Sequence, residues 1–165
     1  GRVVSLDLSD DGTLSYNGNN LTGTIPEDVG NLSELTFLSM AGNALTGTLP
    51  TTLGNLTSVQ YLYLSTNSLS GSIPPELGNM TSLTALTRFD NQLTGSVPAE
   101  LADATALDLL YIGDNSLSGA LPSALGNLDM IKFDVRNNLL SGTIPSSFSN
   151  WINVEEFGLF GNDFE

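Results

Sequence analysis

The chain has 165 residues, of which 18 are acidic and 4 basic, giving a formal charge of -14, and it contains neither His nor Cys. Its four cations, Arg2, Arg88, Lys132 and Arg136, form no cluster able to neutralise several phosphates, which excludes nucleic-acid binding by charge and disfavours anionic membrane surfaces. Without Cys or His there is no disulfide, zinc-thiolate site, thiol nucleophile or imidazole proton shuttle, while the 40% of apolar residues suffice for a continuous core.

Along the chain an Asn followed two residues later by Leu or Phe recurs at 19, 43, 67, 91, 115, 138 and 162, with spacings of 24, 24, 24, 24, 23 and 24. A Gly column at 23, 47, 71, 95, 119 and 142 keeps the same beat, and such self-similarity marks a solenoid. The first residues, Gly1-Arg2-Val3-Val4, carry no initiator Met and no signal-peptide pattern, so the chain reads as an excised or mature piece. Val3, Leu6 and Leu8 occupy the first strand positions, and Asp10 to Asn17 reads as an insertion that delays the Asn19-Asn20-Leu21 signature. Giving that strand to Leu14 and Tyr16 would place Leu6 too close in sequence for a coil of its own. The spacing of Asp7, Ser9, Asp11 and Gly12 imitates a calcium loop, but Gly18 stands where a bidentate Glu is required, so a polar turn is expected there and no metal site.

The unit is plainest from Leu56 to Asn79, where Leu62 and Leu64 alternate with Tyr61, Tyr63 and Ser65 and predict a short strand with one face inward. Strands are expected at 37–41, 61–65, 109–113 and equivalents. The Ser-Gly-Ser-Ile-Pro stretch is expected to turn the chain, Pro74 bars regular helix, and Pro-Glu-Leu-Gly-Asn reads as a short helical turn. The repeats fall at 3–31, 32–55, 56–79, 80–103, 104–127, 128–150 and, in part, 151–165, within one solenoid over 1–165. Arg88 stands where its neighbours have Met40, Leu64 and Ile112, so a bulge that turns it outward and Phe89 inward is one expected escape, and snorkelling is the other. The repeat between Asn127 and Phe133 is one residue short. Each recurrent Asn offers amide donors and an acceptor to backbone groups left unpaired where strand bends into loop, which predicts a structural ladder of Asn19, Asn43, Asn67, Asn91, Asn115, Asn138 and Asn162.

The pattern LxxLxLxxNxLxGxIPxxLGNL, read from Leu35 to Leu56 with Met40 and Leu49 as apolar variants, resembles the plant-type leucine-rich repeat over nearly the whole chain. That resemblance implies an α/β solenoid, a right-handed superhelix of about seven coils with one short parallel strand per coil on the concave face and short helical or 3-10 turns on the convex face. It also implies an extracellular or lumenal recognition domain, as in receptor-like kinases, receptor-like proteins and polygalacturonase-inhibiting proteins, including membrane-anchored parents. Family members usually carry Cys-paired end caps. None is present, so the chain reads as a fragment or as a member of a branch that caps differently, with a neighbouring domain or subunit expected to cover the open ends.

Outward strand residues form three columns on the concave face. Among them Phe37, Tyr61, Tyr63, Phe89, Leu109 and Tyr111 make a mostly aromatic patch flanked by Lys132, Asp134 and Arg136, the expected ligand-binding surface for a protein, peptide or glycan. A competing surface flanks the Gly column: Thr22 and Thr24, Thr46 and Thr48, Ser70 and Ser72, Thr94 and Ser96, Ser118 and Ala120, Ser141 and Thr143. Their spacing approximates a hydroxyl lattice of about 6.7 by 4.8 Å, similar to the threonine ladders of ice-binding solenoids. An ice binder and a structural scaffold are therefore the alternative classes. The sequons at Asn20, Asn31, Asn55 and Asn79 are candidate glycosylation sites. No Ser-His-Asp set, phosphate-cradling Gly loop or metal-ligand cluster is present, and Glu155-Glu156 lacks an acid-base partner, so neither catalysis nor a cofactor is expected.

Overall fold

The computed structural model describes residues 3–9, 19–87 and 90–165. The insertion at 10–17, the calcium-like turn with Asp11, Gly12 and Gly18, and the Arg88-Phe89 bulge lie outside the described residues.

Seven coils stack into a right-handed α/β solenoid. Strands β1 (Ser5–Asp7), β3 (Phe37–Ser39), β5 (Tyr61–Tyr63), β7 (Ala85–Thr87), β9 (Leu109–Tyr111), β11 (Lys132–Asp134) and β13 (Glu156–Gly158) form one parallel sheet in chain order. Each is three residues long, shorter than the expected five, because the chain turns to present the ladder Asn. The pairing of Leu6 with Leu38 puts the first strand at 5–7, where the insertion reading placed it. In the shortened repeat, Leu128 leaves its helix with ψ 158°, against 54–70° at the corresponding residues of the other coils. Register is thereby kept, with Leu109 opposite Lys132.

The expected turn around each Gly is a second strand. Strands β2 (Thr22–Thr24), β4 (Ala44–Thr48), β6 (Ser68–Gly71), β8 (Gln92–Gly95), β10 (Ser116–Gly119), β12 (Leu139–Gly142) and β14 (Asp163–Phe164) make a further seven-stranded parallel sheet. Neighbouring coils satisfy backbone groups that a lone Ser-Gly-Ser segment would leave to water. The Gly column bends within this sheet at φ between 73° and 89°, a region that residues with a Cβ rarely enter. The convex side carries six five-residue 3-10 helices, each preceded by an extended Pro: Glu27–Asn31, Thr51–Asn55, Pro75–Asn79, Ala99–Asp103, Ser123–Asn127 and Ser146–Asn150.

Between the sheets and the helices runs one apolar core. Leu38, Leu62, Leu86, Leu110 and Phe133 from the first sheet, and Leu69, Leu93, Leu117 and Leu140 from the second, are all buried. Toward the last coil it becomes aromatic. Phe148 stacks on Trp151 with ring centroids 3.9 Å apart, Phe133 packs on both, and Trp151 Nε1 donates to Leu125 O at 3.3 Å. The convex helices stack so closely that a Cβ added to Gly54 would lie 2.3 Å from Glu76 O.

Candidate functional site

The ladder fixes the frame on which the concave strands stand. Asn67 Nδ2 donates to Met40 O, Leu64 O and Ser65 O at 3.0, 3.3 and 3.2 Å, and its Oδ1 accepts from Leu45 N at 3.0 Å. Asn43, Asn91, Asn115, Asn138 and Asn162 likewise accept from Leu21, Leu69, Leu93, Leu117 and Leu140 of the preceding coil. Their amide nitrogens reach carbonyls such as Leu8 O, Leu64 O, Gly113 O, Val135 O and Leu159 O. Asn19 donates to Leu8 O and Ser9 O. Just before the ladder residues runs a left-handed column, Gly42, Thr66, Asp90, Asp114, Asn137 and Gly161, with φ between 50° and 71°. Thr66, β-branched at φ 54°, is the strained member.

On the strands, pairing aligns Phe37, Tyr61, Ala85, Leu109, Lys132 and Glu156 in one column, and Ser39, Tyr63, Thr87, Tyr111, Asp134 and Gly158 in the next. The structure thereby brings three of the six sequence-selected apolar residues into a cluster. Phe37 meets Tyr63 edge-on with centroids 5.6 Å apart, and Tyr61 lies 6.4 Å from Phe37 and 6.3 Å from Tyr63. Tyr61 is 40% exposed, while Phe37 and Tyr63 are half-buried, so the cluster offers one face to solvent. Burial raises the Tyr63 hydroxyl above its ordinary pKa, and Tyr61 beside it adds to the rise. Phe89 lies outside the described residues.

Two coils away, half-buried Leu109 separates this cluster from a polar network. Tyr111 Oη donates to Glu156 Oε2 at 2.5 Å. Burial first, then this bond, pushes the phenol up to about 12. Asp134 is 3% exposed and accepts from Arg136 N at 3.0 Å, with Arg136 Nη2 2.9 Å from its other oxygen. The same guanidinium lies 4.0 Å from Asp114 and 5.9 Å from the Phe160 ring centroid. Burial raises the Asp134 carboxyl; Arg136 pulls it down, and Glu156 and Asp114 push it up. Sequence reasoning missed that Gly113 and Gly158 make room for this carboxylate, since a Cβ on Gly158 would lie 2.7 Å from Asp134 Oδ1. Half-buried Lys132 makes no ion pair among the described residues.

The hydroxyl array differs from the rectangular lattice expected. In the first sheet Phe37, Tyr61 and Ala85 pair at offsets of 24 residues, but in the second Thr24 faces Thr46 and Thr48 faces Ser70, at offsets of 22. Equivalent positions are therefore stepped by two residues per coil, and the residue after one Gly faces the residue before the next. From β2 to β12 these strands carry no charged residue. Thr46 Oγ1 donates to Gly23 O at 3.2 Å. Elsewhere, Asn31, Asn55 and Asn79 are exposed at the ends of successive 3-10 helices, and Asn20 is exposed at φ 55°.

Paired parallel sheets, an asparagine spine and a convex 3-10 column define a repeat solenoid whose concave strands present side chains in columns. The family model described as Leucine Rich Repeat matches residues 13–32, 34–56, 58–80, 106–128 and 130–151. The chain belongs to the leucine-rich repeat family. No curated protein matches it.

Solved structures similar to it include the ectodomain of the Arabidopsis thaliana plant membrane receptor kinase GASSHO1/SCHENGEN3 in complex with CASPARIAN STRIP INTEGRITY FACTOR 2 (37% identity over 88% of this chain and 18% of that one, TM-score 0.86). The ectodomain of the Arabidopsis receptor kinase HAESA, in complex with an N-terminally extended IDA peptide hormone ligand, is similar at 34% identity over 87% of this chain and 24% of that one, with TM-score 0.83. A plant ice-binding protein is similar at 33% identity over 88% of this chain and 47% of that one, with TM-score 0.79. The chain thus spans less than half of the length of each.

Proposed function

We propose that the chain is a non-catalytic recognition module that binds a peptide or protein segment along its concave strands in an extracellular or lumenal setting. The observation that carries this reading is the Phe37-Tyr61-Tyr63 cluster, three mutually packed aromatics on a strand surface with Tyr61 open to solvent. Aromatic anchors in a rigid frame lose little side-chain entropy on binding and dominate the energetics of such contacts. Similarity to receptor ectodomains solved with their ligands supports the same assignment. Nonapeptides displayed on phage, selected on the wild-type chain and counter-selected on Tyr61→Ala, test it. Sequences that need Tyr61 are expected, and selection yielding only Tyr61-independent binders rejects the concave site. Glycans on Asn31, Asn55 or Asn79 after secretion from a eukaryotic host, read by intact mass, are expected from the extracellular setting.

A second reading rests on the second sheet of this strongly acidic chain, uncharged from β2 to β12, and on similarity to a plant ice-binding protein: the stepped hydroxyl face binds ice. Thermal hysteresis lost on Thr46→Tyr and Thr94→Tyr but kept in Tyr61→Ala would favour it. Absence of hysteresis in the wild type rejects it.

A further inference from the structure

We infer that Asp134 and Arg136 form an acid-released clamp on the concave face. Ionised Asp134 holds the Arg136 guanidinium down on the sheet, and a proton on Asp134 frees it to swing onto Asp114 and the Phe160 ring. The switch belongs to the chain itself and works whether or not a ligand is bound.

The clamp has one buried jaw and one open one. Asp134 ends β11, between β9 and β13, and is 3% exposed although it stands on the outward side of the strand. Its Oδ1 accepts from Arg136 N at 3.0 Å, and its Oδ2 lies 2.9 Å from Arg136 Nη2. The seat exists because both neighbouring coils lack a side chain there: a Cβ on Gly158 would lie 2.7 Å from Oδ1 and one on Gly113 3.3 Å from it. The Arg136 side chain, by contrast, is 41% exposed. A second resting place is already beside it, with Asp114 Oδ2 4.0 Å from Nε and the Phe160 ring centroid 5.9 Å from the guanidinium carbon.

The charged and titratable groups around the seat come from three coils. The fifth contributes Tyr111 and Asp114, the sixth Lys132 and Arg136, and the seventh Glu156, which accepts from Tyr111 Oη. Lys132 makes no ion pair among the described residues. Three carboxylates therefore surround one engaged guanidinium, and Asp134 is the one withdrawn from water, since Asp114 is exposed and Glu156 half-buried. Loss of water and the two like charges favour a neutral Asp134, against the pull of Arg136. Burial is the largest of these influences and raises the Asp134 carboxyl above its ordinary value. A proton taken from solvent onto Oδ2 cancels the charge that holds Nη2, while Oδ1 goes on accepting from Arg136 N. The backbone thus keeps its place as the arm leaves, which gives two discrete arrangements biased by one proton.

The test is a pH titration of the wild-type chain by nuclear magnetic resonance, following the Asp134 carboxyl carbon and the Arg136 Nε–H together. The carboxyl is expected to titrate with a midpoint above the ordinary Asp value of about 4. Over the same pH range the Arg136 Nε order parameter should fall below about 0.6 from a higher value at neutral pH. Asp134→Asn, which carries no charge at any pH, should show the low value throughout. Its melting temperature relative to wild type should be highest at neutral pH, and the difference should shrink as pH falls, because a raised carboxyl lends stability only when protonated. An Arg136 side chain that stays rigid while Asp134 titrates overturns the clamp. So does wild type losing stability against Asp134→Asn on acidification, which would mean that the ion pair outweighs burial.

Discussion

Replacing Asn67 by Ala removes one side chain that ties its own coil to the preceding one through four hydrogen bonds. Its three carbonyl acceptors do not become orphans: Met40 O keeps Asn43 Nδ2, Leu64 O keeps Asn91 Nδ2 and Ser65 O keeps Gly42 N. The Leu45 amide is the exception. It donates to Asn67 Oδ1 at 3.0 Å from a residue that is 6% exposed, and its loss costs about 1–3 kcal/mol, with the weakened carbonyls adding on the order of 1 kcal/mol. We expect Asn67→Ala to lose about 2–4 kcal/mol in urea unfolding, and native-state hydrogen exchange to place the largest gain in rate at Leu45 N–H. Asn19→Ala, which gives up two carbonyl bonds in an exposed setting, should lose about 1 kcal/mol or less. Equal losses for the two variants, or an unchanged Leu45 amide, would refute the view that the ladder acts through the one backbone donor that each Asn Oδ1 accepts.

Other expectations follow from packing and charge. Leu64→Ala empties a fully buried site and should lose about 2–5 kcal/mol in the same assay. Gly54→Ala should cost about 2 kcal/mol or more, because the new methyl meets the Glu76 carbonyl. Thr66→Gly should gain about 1 kcal/mol by relieving a β-branched residue at φ 54°. In an ultraviolet titration, Tyr111 should ionise near about 12. Its raised value means that its share of stability is complete below the ordinary tyrosine range and lost as pH rises through that value. Glu156→Gln should lower it only in part, burial being the larger cause.

The 24-residue beat, broken by one residue only between Asn115 and Asn138, made the core, the ladder and the concave columns readable before any coordinates, because side-chain alternation fixes which residues face inward. Other features were hidden for physical reasons. Ser68-Leu69-Ser70-Gly71 has the composition of a turn, and it becomes strand only because the coils on either side supply partners. Sequence period also says nothing about lateral register, so the two-residue step of the second sheet could not be foreseen from equal spacing. Tyr111 and Glu156 are 45 residues apart, and only coil stacking brings them together. The burial of Asp134 depends on glycines at 113 and 158, whose missing side chains give no hydrophobic signal.

The asparagine spine has a direction. In every coil from Leu21 to Leu140 the backbone donor is served by the Asn of the coil that follows, never by the one before. A nascent chain emerging from the ribosome therefore carries one unfinished coil at its growing end, sealed only when the next is synthesised. Unravelling inherits the same polarity: peeling away the last coil strips a partner from Leu140 N, whereas removing the first leaves Asn43 holding Met40 O and Ala41 O. Coils should accordingly be lost from the C-terminal end inward, so that a pulling experiment anchored at that end unzips the stack at lower force than one anchored at the other.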